Sequence, residues 1–297
     1  MQKINRTIGF ILKHPLGKKH PLTSLLRLLA WQLQSMFSPS KLIVKSFISP
    51  VKFYARKGLT GITGNIYAGL HEFDDMAFLL HFLRIDDVFF DIGANVGSYT
   101  LLASGVCKSS TTAIEPAKLT FNLLCKNVQL NSLQNKVTLI NAVAGGLASS
   151  SVVFSQNEDT TNHVIANDES ATGIMTVPVI TLDSLLKTAA PALIKIDVEG
   201  YETEVLKGMA KTLRHPNLKA IIIELNGSGV RYGFDENKIH ELLLLNGFIP
   251  YNYNAFKRKL NAIEYHGSHN TIYCRDIDFI NERIKNARPV KVMGESI

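Results

Sequence analysis

A short apolar run, Val88 to Ile92, leads straight into Asp91-Ile92-Gly93-Ala94-Asn95-Val96-Gly97-Ser98-Tyr99-Thr100. No other passage constrains the fold as strongly. Glycines at 93 and 97 permit a tight turn and close backbone approach. A helix starting behind them presents free N–H groups to a polar ligand. Alone, G-x-x-x-G describes any strand–loop–helix turn. With an acid at 91 ahead of it and a helix behind, it reads as a nucleotide-binding edge. Asp91, Gly93, Asn95, Gly97 and Tyr99 are its candidate cofactor contacts.

From Glu72 onward, strand and helix patterns alternate. Apolar strands are expected at Val88–Ile92, Thr111–Glu115, Val137–Asn141, Leu193–Asp197 and Lys219–Leu225, with helices between them, and two final strands at Phe248–Tyr253 and Thr271–Arg275. Such alternation forces a mostly parallel, doubly wound α/β sheet covered on both faces. Ligands then sit beyond the carboxyl ends of strands. Glu115 ends the second of these strands, 24 residues after Asp91, where a carboxylate accepts both hydroxyls of a ribose. Asn141 ends the third and is either an adenine contact or a turn former. The dinucleotide fingerprint G-x-G-x-x-G is absent, since Asn95 takes the place of its middle glycine. That loss hinders a pyrophosphate, so a ligand with ribose and adenine but no pyrophosphate is expected: S-adenosylmethionine.

With DIGANVGSYT, IEP (114–116), IKIDVEG (194–200) and IIIEL (221–225), the sequence resembles the FkbM-type methyltransferases of the class I S-adenosylmethionine-dependent group, over about residues 86–275. The resemblance implies a Rossmann-like sheet of seven strands, the last antiparallel. It also implies O-methylation of a hydroxyl, commonly on a sugar or a polyketide-like product, so the expected acceptor is a small molecule, a sugar or a glycan- or lipid-linked molecule.

Several residues are candidates for chemistry. Asp197 and Glu199, with Gly200 allowing a sharp turn, place carboxylates at the mouth of the site, to orient or deprotonate a hydroxyl or to stabilise a sulfonium. A helix-start role for Glu199 and Glu202 is the plain alternative. Lys195 is expected to pair with a carboxylate. Glu224 lies in an otherwise apolar strand and must face the cleft or meet a cation, with Arg231 as its candidate partner. Asn226, Arg231 and Tyr232 are candidate substrate contacts. His163, in the polar stretch Asn157–Thr172, is preferred over His266 and His269 as a base. The sequence spacing of His, Cys and acids points to no metal.

The formal net charge of +7 is unevenly spread. Met1 to His71 contains no Asp or Glu, whereas residues 1–60 hold eleven of the 32 Lys and Arg. Residues 1–70 therefore read as a basic N-terminal extension, and 71–297 as the catalytic domain. Between Pro21 and Pro39, residues Leu22, Leu25, Leu26, Leu29, Leu33, Met36 and Phe37 form one helical stripe, widened by Leu28 and Trp31. A helix docked on the catalytic domain through this stripe, or a homodimer contact, is favoured over a peripheral membrane contact. Three scattered cysteines, no signal-peptide core and no long apolar run fit a cytoplasmic protein. Two other functions stay open. A nucleic-acid methyltransferase would use the basic arm on phosphates, although nucleic acid is not the expected partner. A non-enzymatic, membrane-associated binding module would need a defective cofactor site.

Overall fold

The computed structural model describes residues 2–146, 151–155, 162–166, 173–188 and 190–297. Three helices open the chain: α1 (Gln2–Lys13), α2 (Pro15–Lys19) and α3 (Pro21–Phe37). A hairpin of β1 (Ile43–Ser46) and β2 (Lys52–Ala55) follows, then α4 (Thr60–Ala68) and α5 (Phe73–Phe82). The βα units begin with β3 (Val88–Ile92) and α6 (Ser98–Leu101), whose continuation at Leu102–Val106 is a π turn. Next come β4 (Ser110–Ile114), α7 (Lys118–Leu130) and β5 (Val137–Ile140). A side sheet uses β6 (Val143–Ala144), β7 (Ser151–Ser155) and β8 (Ile174–Ile180), and α8 (Leu182–Leu185) closes it. The main sheet resumes with β9 (Leu193–Ile196), α9 (Glu202–Lys207), α10 (Ala210–Arg214), β10 (Ala220–Glu224) and α11 (Glu236–Leu245). It ends with β11 (Ile249–Asn254), β12 (Lys259–Ala262), β13 (Asn270–Cys274) and α12 (Ile277–Lys285), before a small hairpin of β14 (Lys291–Val292) and β15 (Glu295–Ser296).

The main sheet has the order β12-β11-β13-β10-β9-β3-β4-β5. Pairs from β10 through β5 are parallel; β13 is antiparallel to β10 and to β11. An antiparallel final strand was expected. The count is eight rather than seven, because β12 folds back on β11 as an edge strand. The side sheet strand β8, with Pro178 in its middle, also carried no clear strand pattern. Alternation along the strands divides the core: Phe89, Leu193 and Ile222 face α5 and α12, while Phe90, Ile194 and Ile221 face α9, α10 and α11. The βα crossovers bring every parallel strand's carboxyl end to one edge.

The N-terminal segment shares this core. Ile11, Leu28, Trp31, Phe53, Ile62 and Tyr67 form one cluster with Val96, Leu101, Leu124 and Val128 of the βα units. Helix α3 docks through Ser24, Leu28, Trp31 and Ser35, so of the expected stripe only the widening residues Leu28 and Trp31 are buried. Leu22, Leu26, Leu29, Leu33, Met36 and Phe37 lie on the opposite face and are exposed. Trp31 is the largest side chain on the docked face. Its side chain is only 3% exposed. Trp31→Ala should therefore cost about 3–5 kcal/mol of unfolding free energy, measured as a lower urea midpoint. An unchanged midpoint would mean that α3 is not held by this face.

Candidate functional site

Strand register explains how distant acids meet. Ile92 of β3 pairs with Ile196 of β9, which pairs with Ile223 of β10, and Glu224 pairs with Asn270 of β13. The next positions therefore form a row along the carboxyl edge: Gly93, Asp197, Glu224, Asn270. Gly93 is required there for two reasons. Its φ is 76°, and a Cβ would sit 1.8 Å from the Asp197 carbonyl oxygen. Gly97, at φ 96°, turns the chain into α6 with Leu124 pressed against it.

Glu115 is buried behind this loop. One carboxylate oxygen accepts from the Asn95 N–H at 2.9 Å and the other from the Ala117 N–H at 2.8 Å. Burial pushes its pKa up to about 7, against the lowering effect of these two hydrogen bonds. Asp91 is also buried and holds the first turn of α6, accepting from the Thr100 N–H at 2.9 Å and its hydroxyl at 2.6 Å. The Asn141 amide donates to the carbonyls of Glu115 and Pro116, both at 2.8 Å. It thus shapes the β4 turn directly. Tyr99 is buried with the Lys195 ammonium 4.8 Å from its ring centre.

Lys195 is the buried cation of the site. Its ammonium lies 2.5 Å from an Asp197 carboxylate oxygen, the carboxylate pairing expected of it. Burial raises the Asp197 pKa, but Lys195 overrides it and holds this acid below the ordinary range. Glu224 does not meet Arg231; its carboxyl bonds to Asp197, and burial followed by the Asp197 charge pushes its pKa to about 9. Asp197 and Glu224 thus share one proton at neutral pH. Glu199 has φ 53° and its pKa is raised to about 7, first by burial and then by Asp197, with Arg231 and His163 opposing. Glu202 accepts from the N–H groups of Val198 and Gly200, both at 3.2 Å, and fixes this turn.

One oxygen each from Asp197, Glu199 and Glu224 lie within 4.8 Å of one another, a spacing that suits a cation. Sequence spacing shows no such cluster because Glu224 arrives from another strand. Lys195 and the proton on Glu224 already meet part of that charge.

The loop residues divide. His163 is buried and its backbone N–H donates to Ser155 Oγ at 2.9 Å; it lies close enough to Glu199 to oppose the rise of that acid's pKa. Tyr232 donates to the Val164 carbonyl at 2.6 Å and packs edge-on against Tyr201, so it ties this segment to the site. Residues 157–161 and 167–172 of this stretch lie outside the described residues. Arg231 is exposed near Glu199. Asn226 is exposed, and its Oδ1 accepts from the Ser228 N–H at 2.9 Å as a turn former. His266 stacks with Tyr265 rather than joining the acids, and His269 is exposed.

Sequence reasoning missed the contribution of α5. The Asn270 amide donates to Glu72 at 2.7 Å, and Asp75 is pushed up to about 7 by burial and by Glu72. The available signal was Glu72-Phe73-Asp74-Asp75, which holds the chain's first acids and opens a helix.

Residues 91–250 match the family described as the methyltransferase FkbM domain. The chain is 33% identical over 177 residues to the hexuronic acid methyltransferase AglP of Haloferax volcanii, covering 58% of this chain and 67% of that one. Among solved structures, it is similar to precorrin-6y C5,15-methyltransferase of Geobacter metallireducens, at 15% identity and TM-score 0.41, over 69% of this chain and 89% of that one. It is also similar to M. jannaschii TYW2 in complex with AdoMet, at 16% identity and TM-score 0.40, over 78% and 84%.

Glu115 sets a pH dependence. Its folded pKa lies above the ordinary 4.5, so its contribution to stability is full below that value and is lost as pH rises through about 7. Glu115→Gln sets an amide NH2 against one of the two backbone donors and starts less stable, but its difference from the parent should move in its favour by on the order of 2–3 kcal/mol between about pH 5 and about pH 8. Parallel melting curves across pH test this; a pH-independent difference would mean that Glu115 is not buried as described.

Proposed function

The chain belongs to the FkbM methyltransferase family, and from that premise we propose that it moves the methyl group of S-adenosylmethionine onto a hydroxyl of a sugar or glycan acceptor. One observation carries this reading: Glu115, Asp197, Glu199 and Glu224 converge at one sheet edge beside a glycine turn.

The residues fit the cofactor. Each Glu115 oxygen takes one backbone N–H and keeps a second lone pair for a ribose hydroxyl. Side chains at 93 or 97 would fill the space beside the turn. Asp197, kept ionised by Lys195, supplies negative charge for a cationic ligand. The Asn270 amide oxygen at the same edge is buried with no hydrogen-bond partner among the described residues. When bound, the cofactor supplies an electrophilic methyl on a positively charged sulfur.

The protein's part is alignment and proton handling. A displacement of this kind needs oxygen, methyl and sulfur in line more than strong acid–base help. Glu199, with a pKa near 7, is matched to accepting the acceptor's hydroxyl proton near neutral pH. Glu224 stays protonated and holds Asp197 in place. His163 and Arg231 moderate the charge of Glu199. A sugar acceptor agrees with the name of the Haloferax volcanii relative. The acid-rich mouth favours a neutral hydroxyl over a carboxylate as the methylated group, because a further anion there is repelled.

Calorimetry with S-adenosylmethionine, followed by transfer of labelled methyl to sugar acceptors, tests the reading. Glu115→Ala should abolish cofactor heat. Asp197→Asn should keep the dissociation constant within a few-fold and lower kcat about a hundredfold. No cofactor heat from the unmodified chain overturns the assignment. Glu199→Gln should remove the rise of kcat between about pH 6 and about pH 8, and an unchanged profile would exclude Glu199 as the base.

A further inference from the structure

Helix α3 presents two faces of opposite fate. At 100° per residue, Ser24, Leu28, Trp31 and Ser35 point inward. Leu22, Leu26, Leu29, Leu33, Met36 and Phe37 recur every three or four residues on the outward side. Their exposure runs from 57% for Leu33 to 86% for Phe37. Single exposed leucines are ordinary, but six in one stripe about 22 Å long form a contiguous patch of the kind that marks an interface.

The charge around this stripe says what covers it. Residues 1–71 contain no acid, and eleven Lys and Arg lie in residues 1–60. Lys13 and Lys18, just ahead of α3, and Lys41, just after it, are exposed. Arg27 and Gln34 lie along one flank of the stripe, and Gln34 accepts a hydrogen bond from Lys45. Burial, and then the neighbouring Arg27, hold Lys45 below the ordinary lysine range. Basic residues are thus gathered beside an apolar stripe, with Lys13, Lys18 and Lys41 exposed to an anion.

We propose that the outward face of α3 lies in the headgroup region of an anionic lipid bilayer, with the stripe dipping into the acyl boundary and the flanking Lys and Arg meeting lipid phosphates. An interfacial helix has this arrangement: an apolar face, basic flanks and no span. No helix among the described residues is long and apolar enough to cross a membrane. A second copy of this chain is the weaker occupant, because it brings a segment with eleven Lys and Arg and no acid of its own against another of the same sign. Nucleic acid offers phosphates but no apolar phase for six side chains. The proposal rests on the N-terminal surface alone and is independent of the catalytic reading.

Flotation of the full chain with vesicles of neutral phosphatidylcholine, and with vesicles containing about one third phosphatidylserine, tests it. The chain should float with the anionic vesicles and not with the neutral ones, and about 0.5 M salt should weaken binding at least tenfold. Leu26→Asp combined with Leu33→Asp should weaken it at least a hundredfold while leaving the melting temperature unchanged, since both positions are already in water. If the double variant melts early, Leu26→Ser with Leu33→Ser gives the same comparison at smaller amplitude. Absence of binding to the anionic vesicles overturns the proposal. So does a concentration-dependent dimer of the unmodified chain that the double variant abolishes, because the stripe would then be a contact between copies.

Discussion

A buried ammonium holds the carboxyl edge together. Lys195 is 3% exposed and sits in a strand otherwise made of Leu and Ile. Its charge acts on Asp91, Asp197 and Glu72 at once, so that its pKa is raised although burial alone would lower it. A lone buried lysine is expensive, and so are several buried acids without a cation. Each resolves the other's cost. The register of β3, β9 and β10 brings them within reach: Asp91 pairs with Lys195 across adjacent parallel strands, and Asp197 follows two residues later on the same face. The glycine turn, the α5 acids and the shared proton on Glu224 are all arranged around that charge.

The N-terminal helices support the same edge from outside. Asn65 of α4 donates to Ser98 Oγ at 3.1 Å, where α6 begins, and accepts from the His71 N–H at 2.7 Å. Buried His14 lies 2.7 Å from the Leu70 carbonyl and fastens α2 to the segment entering α5. Lys19 and His20 pair with Glu295 at the far end of the chain. A segment that differs so much in charge is therefore continuous with the βα units in packing, and its placement bears on the glycine turn.

Much of this was legible in the residues. The apolar runs at β3, β9 and β10 and the acid–glycine turn after β3 are local patterns, and they located the edge. The acids at 115, 197 and 199 follow from standing just after strands. What stayed hidden depends on register and on competition between faces. Glu224 was expected to meet Arg231, yet the β9–β10 register places Asp197 beside it. Asn141 and Tyr232 also donate to carbonyls brought beside them by the fold, contacts that no local pattern announces. The stripe of α3 has the stronger periodicity, but periodicity cannot say which of two apolar faces finds a partner.

The eighth strand shapes what this protein can assemble into. Strand β12 ends the sheet with Lys259 and Asn261 outward and only Leu260 buried. A four-residue border carrying a lysine is a poor template for another chain's backbone. Growth of the sheet from molecule to molecule is disfavoured at that side, which leaves β5 as the other border of the main sheet.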